Sequence, residues 1–112
     1  MKYRWVAKYG AGLPLAGVLF LSSVPSQAQS EPAGLFKTQC EECHGTNGDA
    51  NTPMGRSLKL RDLRSPDVQK RTNADLTDVI TNGVATMPGF KNKLTKDQIQ
   101  QVVAYIRQIA KK

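Results

Sequence analysis

"CEECHG" occupies residues 40–45 of a 112-residue chain and holds both of its cysteines and its only histidine. Cys40, Cys43 and His44 therefore crowd into one helical turn and its exit. Three uses of such a cluster fit poorly. A dithiol redox site needs a lowered thiol pKa, and Glu41 and Glu42 between the cysteines oppose a thiolate. A zinc site needs three or four protein ligands, and no further Cys or His is available. A simple disulfide would close a trivial loop and leave His44 without a role.

A fourth use fits all three residues. Two thiols three positions apart at a helix end project to one side, and the histidine follows where the chain turns. That is the layout for covalent haem attachment: Cys40 and Cys43 as thioether links, and His44 as an axial ligand of the iron. The expected cofactor is one haem c per chain.

The rest of the chain agrees with a bound group. Its length allows one small domain, whose own core is marginal. Exported domains of this size usually rely on several disulfides or a bound group. The formal net charge is +7, but no basic stripe interleaved with aromatics exists, so nucleic acid is not an expected partner.

Lys2, Arg4 and Lys8 begin the chain, "GAGLPLAGVLFLSSV" (10–24) is apolar, and "SQA" (26–28) supplies small residues. This is the layout of a secretory signal peptide, with cleavage expected after Ala28. Pro14 and the shortness of the run argue against a spanning helix, which needs about 20 apolar residues. The expected division is a signal peptide over 1–28 and a domain over 29–112, located in the periplasm. An uncleaved N-terminal membrane tether is the alternative.

Periodicity predicts an all-α domain of three to four short helices with long loops. A first helix is expected from Ala33 to about Glu42. "GTNGDANTPMG" (45–55) reads as loop, and 56–71 as loop with a helical turn around Pro66. "NADLTDVITNG" (73–83) predicts a helix capped by Asn73, striped by Leu76, Val79 and Ile80, and stopped by Gly83. The strongest pattern is the last. Thr95 and Gln98 make a capping box, and Ile99, Val102, Val103, Ile106, Ile109 and Ala110 recur at helical spacing, bordered by Tyr105.

The second axial position has two candidates. No second histidine exists, so a methionine is expected, which raises the reduction potential. Met87 lies in "ATMPGF", stiffened by Pro88, between the two clearest helices. Met54 lies only ten residues after His44, in a segment better suited to covering the proximal side. There the Pro53 carbonyl is a candidate acceptor for the second nitrogen of His44. Met87 is the expected ligand and Met54 the alternative.

Taken together, "CEECHG", "TPMG", "ITNG", "MPGF", "LTKDQI" and "VVAYIR", in that order across most of 34–110, resemble the small monohaem class I cytochromes c of bacteria. The resemblance implies a cytochrome c-like fold around one haem, with Cys40, Cys43 and His44 as haem sites and Met87 as distal ligand. It also implies that Phe36 packs against Tyr105. One departure is visible. Pro32 stands where the family's first helix often has a Gly for close crossing, and Gly34 comes two residues later.

The expected function is one-electron transfer without catalysis, by a monomer exchanging electrons with redox proteins. Lys37, Lys91, Lys93 and Lys96 suggest that those partners present acidic docking surfaces. Two alternatives are an open sixth iron position, as in a haem sensor or peroxidase-like module, and a dedicated haem subunit of a larger enzyme.

Overall fold

The best-patterned segment becomes the longest helix described. In the computed structural model, which describes residues 31–112 together with Gly10, Gly12, Pro14 and Gly17, six helices follow one another. They are α1 (Pro32–Gln39), α2 (Glu41–His44), α3 (Pro53–Ser57), α4 (Pro66–Gln69), α5 (Asn73–Asn82) and α6 (Lys96–Ile109). Among the described residues there is no strand, only an isolated bridge between Val84 and Met87. The all-α expectation is met. The expected signal peptide, residues 1–28, falls outside the described residues apart from those four.

Helix α6 starts on a reciprocal cap. The Gln98 N–H donates to Thr95 Oγ1 at 3.1 Å, and the Thr95 N–H donates to Gln98 Oε1 at 2.8 Å. Ile99, Val102, Val103, Ile106 and Ile109 are buried along one stripe. Full burial of each such side chain stabilises by about 1.5–3 kcal/mol. Helix α1 lays Leu35 and Phe36 against the same core, and α5 adds Leu76 and Ile80. Val68, Phe90 and Leu94 complete it from the connecting segments.

The crossing of α1 over α6 does not depend on a glycine. A Cβ built on Gly34 would meet nothing within 4 Å. Pro32 instead sets the helix start, as the first residue of α1; its ring fixes φ and its missing N–H would be unpaired there anyway. The contact itself is made by side chains, chiefly Phe36, which is only 1% exposed.

Three boundaries differ from the sequence reading. The first helix does not run to Glu42. It ends at Gln39, because Cys40 takes φ −123° and ψ −30° before α2 begins. The cap of α5 is Thr72, not Asn73: the Asp75 N–H donates to Thr72 Oγ1 at 3.0 Å. Asn73 is the first helical residue, and its Oδ1 accepts from Arg107 Nε at 3.1 Å. Finally, α3 starts inside the expected 45–55 loop, behind Thr52 and Pro53. With α2 and α4 it raises the helix number to six, each of these three being too short to show periodicity.

A candidate haem-attachment site

Cys40 is tied to both helices that meet at it. Its N–H donates to Phe36 O at 2.8 Å, and its own carbonyl accepts from the His44 N–H at 2.9 Å and the Cys43 N–H at 3.3 Å. The last turn of α1 and all of α2 thus share one residue, and Cys40, Cys43 and His44 occupy one corner. Gly45 then leaves α2 at φ +80°, where a side chain would be strained and a Cβ would come within 2.5 Å of Asp49 Oδ1.

The carbonyls at the end of α2 have no partner within their own short helix, and the following loop supplies them. The Ala50 N–H donates to His44 O at 2.7 Å. Thr52 Oγ1 donates to Cys43 O at 2.9 Å and accepts from the Gly55 N–H at 2.8 Å. Gly55 lies so close that a Cβ there would stand 2.2 Å from Ala50 O and 2.6 Å from Cys43 O. The sequence reading missed Thr52 and Gly55. Their signal was Thr-Pro-x-Gly, a hydroxyl cap before a proline at the first helical position.

The chemistry of the corner matches its geometry. Burial, and secondarily the charge of Cys43, pushes the Cys40 thiol up to about 11. It stays protonated at neutral pH, unlike the thiolate of a dithiol redox site. Burial holds the His44 imidazole below its ordinary pKa, which favours the neutral, metal-binding form. His44 Nδ1 is buried and has no hydrogen-bond partner among the described residues. The bond from it to the Pro53 carbonyl that the sequence led us to expect is not seen there.

Met87 lies on a separate, tightly built turn. The Val84 N–H donates to Met87 O at 3.1 Å and the Met87 N–H to Val84 O at 2.9 Å. Gly83, at φ +79°, enters this turn, and a Cβ on it would approach Met87 O to 2.5 Å. The exit is bound back onto α5, with the Phe90 N–H on Ile80 O at 2.8 Å and the Lys91 N–H on Thr81 O at 3.1 Å. Both Cys40 and Met87 are partly buried against the one core cluster, whereas Met54 is 44% exposed.

A family model described as cytochrome c oxidase, cbb3-type, subunit III matches residues 27–106. The chain belongs to the small monohaem c-type cytochromes. It is 30% identical to a cytochrome c6 of Synechocystis sp., over 93% of this chain and 88% of that one. It is 33% identical to a cytochrome c6 of Gloeothece citriformis, over 88% of this chain and 90% of that one. The solved KustC0563 c-type cytochrome superposes with a TM-score of 0.66 at 27% identity, covering 70% of this chain and 96% of that one.

As a c-type cytochrome the chain carries one covalently attached haem c and functions in electron transfer. The residues present suit such a group. Two thiols and a half-buried imidazole share one corner. The exposed large apolar side chains among the described residues are Met54, on the helix braced against that corner, Leu58, at its C-terminal cap, and Val84, paired through its backbone with Met87. A large apolar macrocycle is the kind of group such side chains cover. No helix among the described residues is long and apolar enough to cross a membrane.

Proposed function

We propose that the chain is an exported one-electron carrier, not an enzyme, in which Cys40 and Cys43 hold the haem and His44 and Met87 ligate its iron. When bound, the haem supplies the exchange between ferric and ferrous iron. The protein residues fix the two ligands in place, so that little rearranges when an electron moves. The thioether of Met87 favours the ferrous state and raises the potential.

One observation carries the assignment of Met87 over Met54. Met87 packs against the core cluster that Cys40 also borders, on a turn held by backbone bonds at both ends, whereas Met54 lies on α3, which Thr52 braces against the Cys43–His44 side of the corner. A methionine fixed in this way suits a closed coordination sphere better than the open sixth position of a sensor or peroxidase. Export rests on the basic start, the apolar run and the small residues before Gln29.

The deciding experiment is the visible spectrum of holoprotein made with a cytochrome c maturation system. Met87→Ala should abolish the long-wavelength sulfur–iron band of the ferric form, admit added ligands and lower the potential. Met54→Ala should leave the band intact. The reverse result would exchange the two residues, and a high-spin ferric wild type would favour the open site. Mass spectrometry of the exported protein should find an N-terminus at Gln29 and one haem beyond the chain mass.

A further inference from the structure

We infer that Asn47 is a site of spontaneous covalent modification: its side-chain amide is lost to attack by the next backbone nitrogen, and the product displaces the buried Gly48. The inference does not depend on which residues ligate iron. Asparagine is a thermolabile residue. It converts most readily before glycine, where no side chain shields the attacking nitrogen. The chain has two Asn-Gly pairs, Asn47-Gly48 and Asn82-Gly83, and the fold treats them in opposite ways.

Thr46 and Asn47 are exposed at the tip of the 45–48 turn, which is closed by the Gly48 N–H donating to Gly45 O at 3.1 Å. Asn82 is the last residue of α5. Its Nδ2 donates to Asp78 Oδ1 at 2.7 Å, and the Gly83 N–H donates to Val79 O at 2.8 Å. Leaving group and attacking nitrogen are therefore both held at the second pair. Breaking these bonds, one of them to a charged acceptor, slows Asn82 by at least about tenfold relative to Asn47.

The step itself needs only water. The Gly48 nitrogen gives its proton to solvent base and bonds to Cγ of Asn47. The Cγ–Nδ2 bond breaks, and ammonia leaves with a proton from solvent. One water then opens the five-membered imide. Cleavage at Cγ gives aspartate. Cleavage at the backbone carbonyl carbon gives isoaspartate, whose main chain runs through the side chain and is one methylene longer.

That methylene arrives where there is little room. Gly48 is buried, and a Cβ on it would stand 2.6 Å from Ile109 Cδ1 and 3.3 Å from Leu63 Cβ. Its carbonyl accepts from the Leu63 N–H at 2.8 Å. A longer link between residues 47 and 48 must press Gly48 onto the end of α6 or draw it off Leu63, and close packing resists both. Isoaspartate thus destabilises through the main chain, beyond the effect of its charge.

The test incubates holoprotein in mildly alkaline buffer at physiological temperature, native and in denaturant, and follows tryptic peptides by mass spectrometry. Cleavage after Lys37 and Arg56 isolates Asn47 with the attachment corner, and cleavage after Arg71 and Lys91 isolates Asn82. Electron-transfer fragmentation separates Asn47 from Asn51, and isoaspartate from aspartate. Native protein should convert at Asn47 at least about tenfold faster than at Asn82, whereas in denaturant the two pairs should convert at similar rates. The isoaspartate form should melt below the Asn47→Asp variant. Asn47→Ser should hold its melting temperature through an incubation in which that of the wild type declines. Equal native rates at the two pairs, or an Asn47 that converts only in denaturant, would overturn the site. An isoaspartate form that melts with Asn47→Asp would overturn the effect on Gly48.

Discussion

Phe36 and Tyr105 meet with ring centroids 5.0 Å apart and planes inclined at 46°. Phe36 stands one turn before Cys40, whose N–H it binds through its carbonyl. The aromatic contact therefore links α6 directly to the helix that delivers the attachment corner. Phe36→Ala should destabilise the holoprotein by about 3–5 kcal/mol through loss of burial and the cavity left behind. A double-mutant cycle with Tyr105→Leu should give a coupling of about 0.5–1.5 kcal/mol beyond area burial. Denaturant unfolding followed by far-ultraviolet circular dichroism measures both; additive effects would mean the rings only share a neighbourhood.

The turn carrying Met87 contains two residues at positive φ with opposite expectations. Gly83, at +79°, has no room for a Cβ beside Met87 O and Gly89 N, at 2.5 and 2.7 Å. Ala85, at +51°, already bears a side chain in the left-handed region. With ψ 169° Gly83 sits in a positive-φ extended region essentially confined to glycine, so Gly83→Ala should weaken the sulfur–iron band and destabilise by at least about 1–3 kcal/mol. Ala85→Gly relieves strain but frees the unfolded chain, so it should change stability by under about 1 kcal/mol and leave the band alone. Equal effects from the two would refute the steric account of the turn.

Sequence resolved these segments unequally, for physical reasons. The Thr95–Gln98 box was legible because both partners of the cap are local. The α5 cap was misread although the Thr72–Asp75 box is equally local, because the adjacent Asn73 is as good a cap residue; Asn73 instead accepts from Arg107, 34 residues on. The corner's identity was legible in CxxCH, but its bracing was not. Thr52 and Gly55 act nine and twelve residues beyond Cys43; Thr-Pro-x-Gly marks a helix start there, but nothing in that pattern names the backbone carbonyl of Cys43 as the group they meet.

Arg107 is the clearest long-range case. Its guanidinium donates to Gln69 O at 2.9 Å, to Arg71 O and to Asn73 Oδ1, closing separations of 34–38 residues. Gln69 Nε2 returns bonds to Leu63 O at 2.7 Å and Ile106 O at 3.2 Å. This fastens the irregular 63–73 connection to α6. Arg107→Leu should destabilise by about 1.5–3 kcal/mol, since hydrogen bonds from a charged donor are lost and carbonyls are left open. Arg107→Lys should recover only part, because an ammonium cannot span the same fork. Hydrogen exchange should quicken first at the amides of Lys70 and Arg71; an effect spread evenly over the protein would point away from a local clamp.

The proposed carrier must also find its partners, and the exposed lysines beside the Met87 turn bear on how. Lys91, Lys93 and Lys96 are all exposed, as is Lys37 on α1. The Lys91 backbone is bound to α5, and Lys93 Nζ lies 5.6 Å from the Phe90 ring centroid. These charges are thus carried by a fixed segment immediately after the proposed distal ligand, where they would steer an acidic surface toward the haem side of the molecule. Fields of exposed charges are screened over about 8 Å at physiological salt. The second-order rate of electron transfer with an acidic redox protein should therefore fall steeply as ionic strength rises. Lys91→Glu with Lys93→Glu should flatten or invert that dependence, while leaving the visible spectrum and the potential close to wild type. Part of any stability loss at Lys93 would come from its contact with Phe90, about 0.5–1 kcal/mol at an exposed site, so melting is checked separately. Stopped-flow kinetics across a salt series measures the effect. A wild-type rate that stays level with salt would remove charge steering from the docking step and favour an apolar contact or a lasting complex with a larger enzyme.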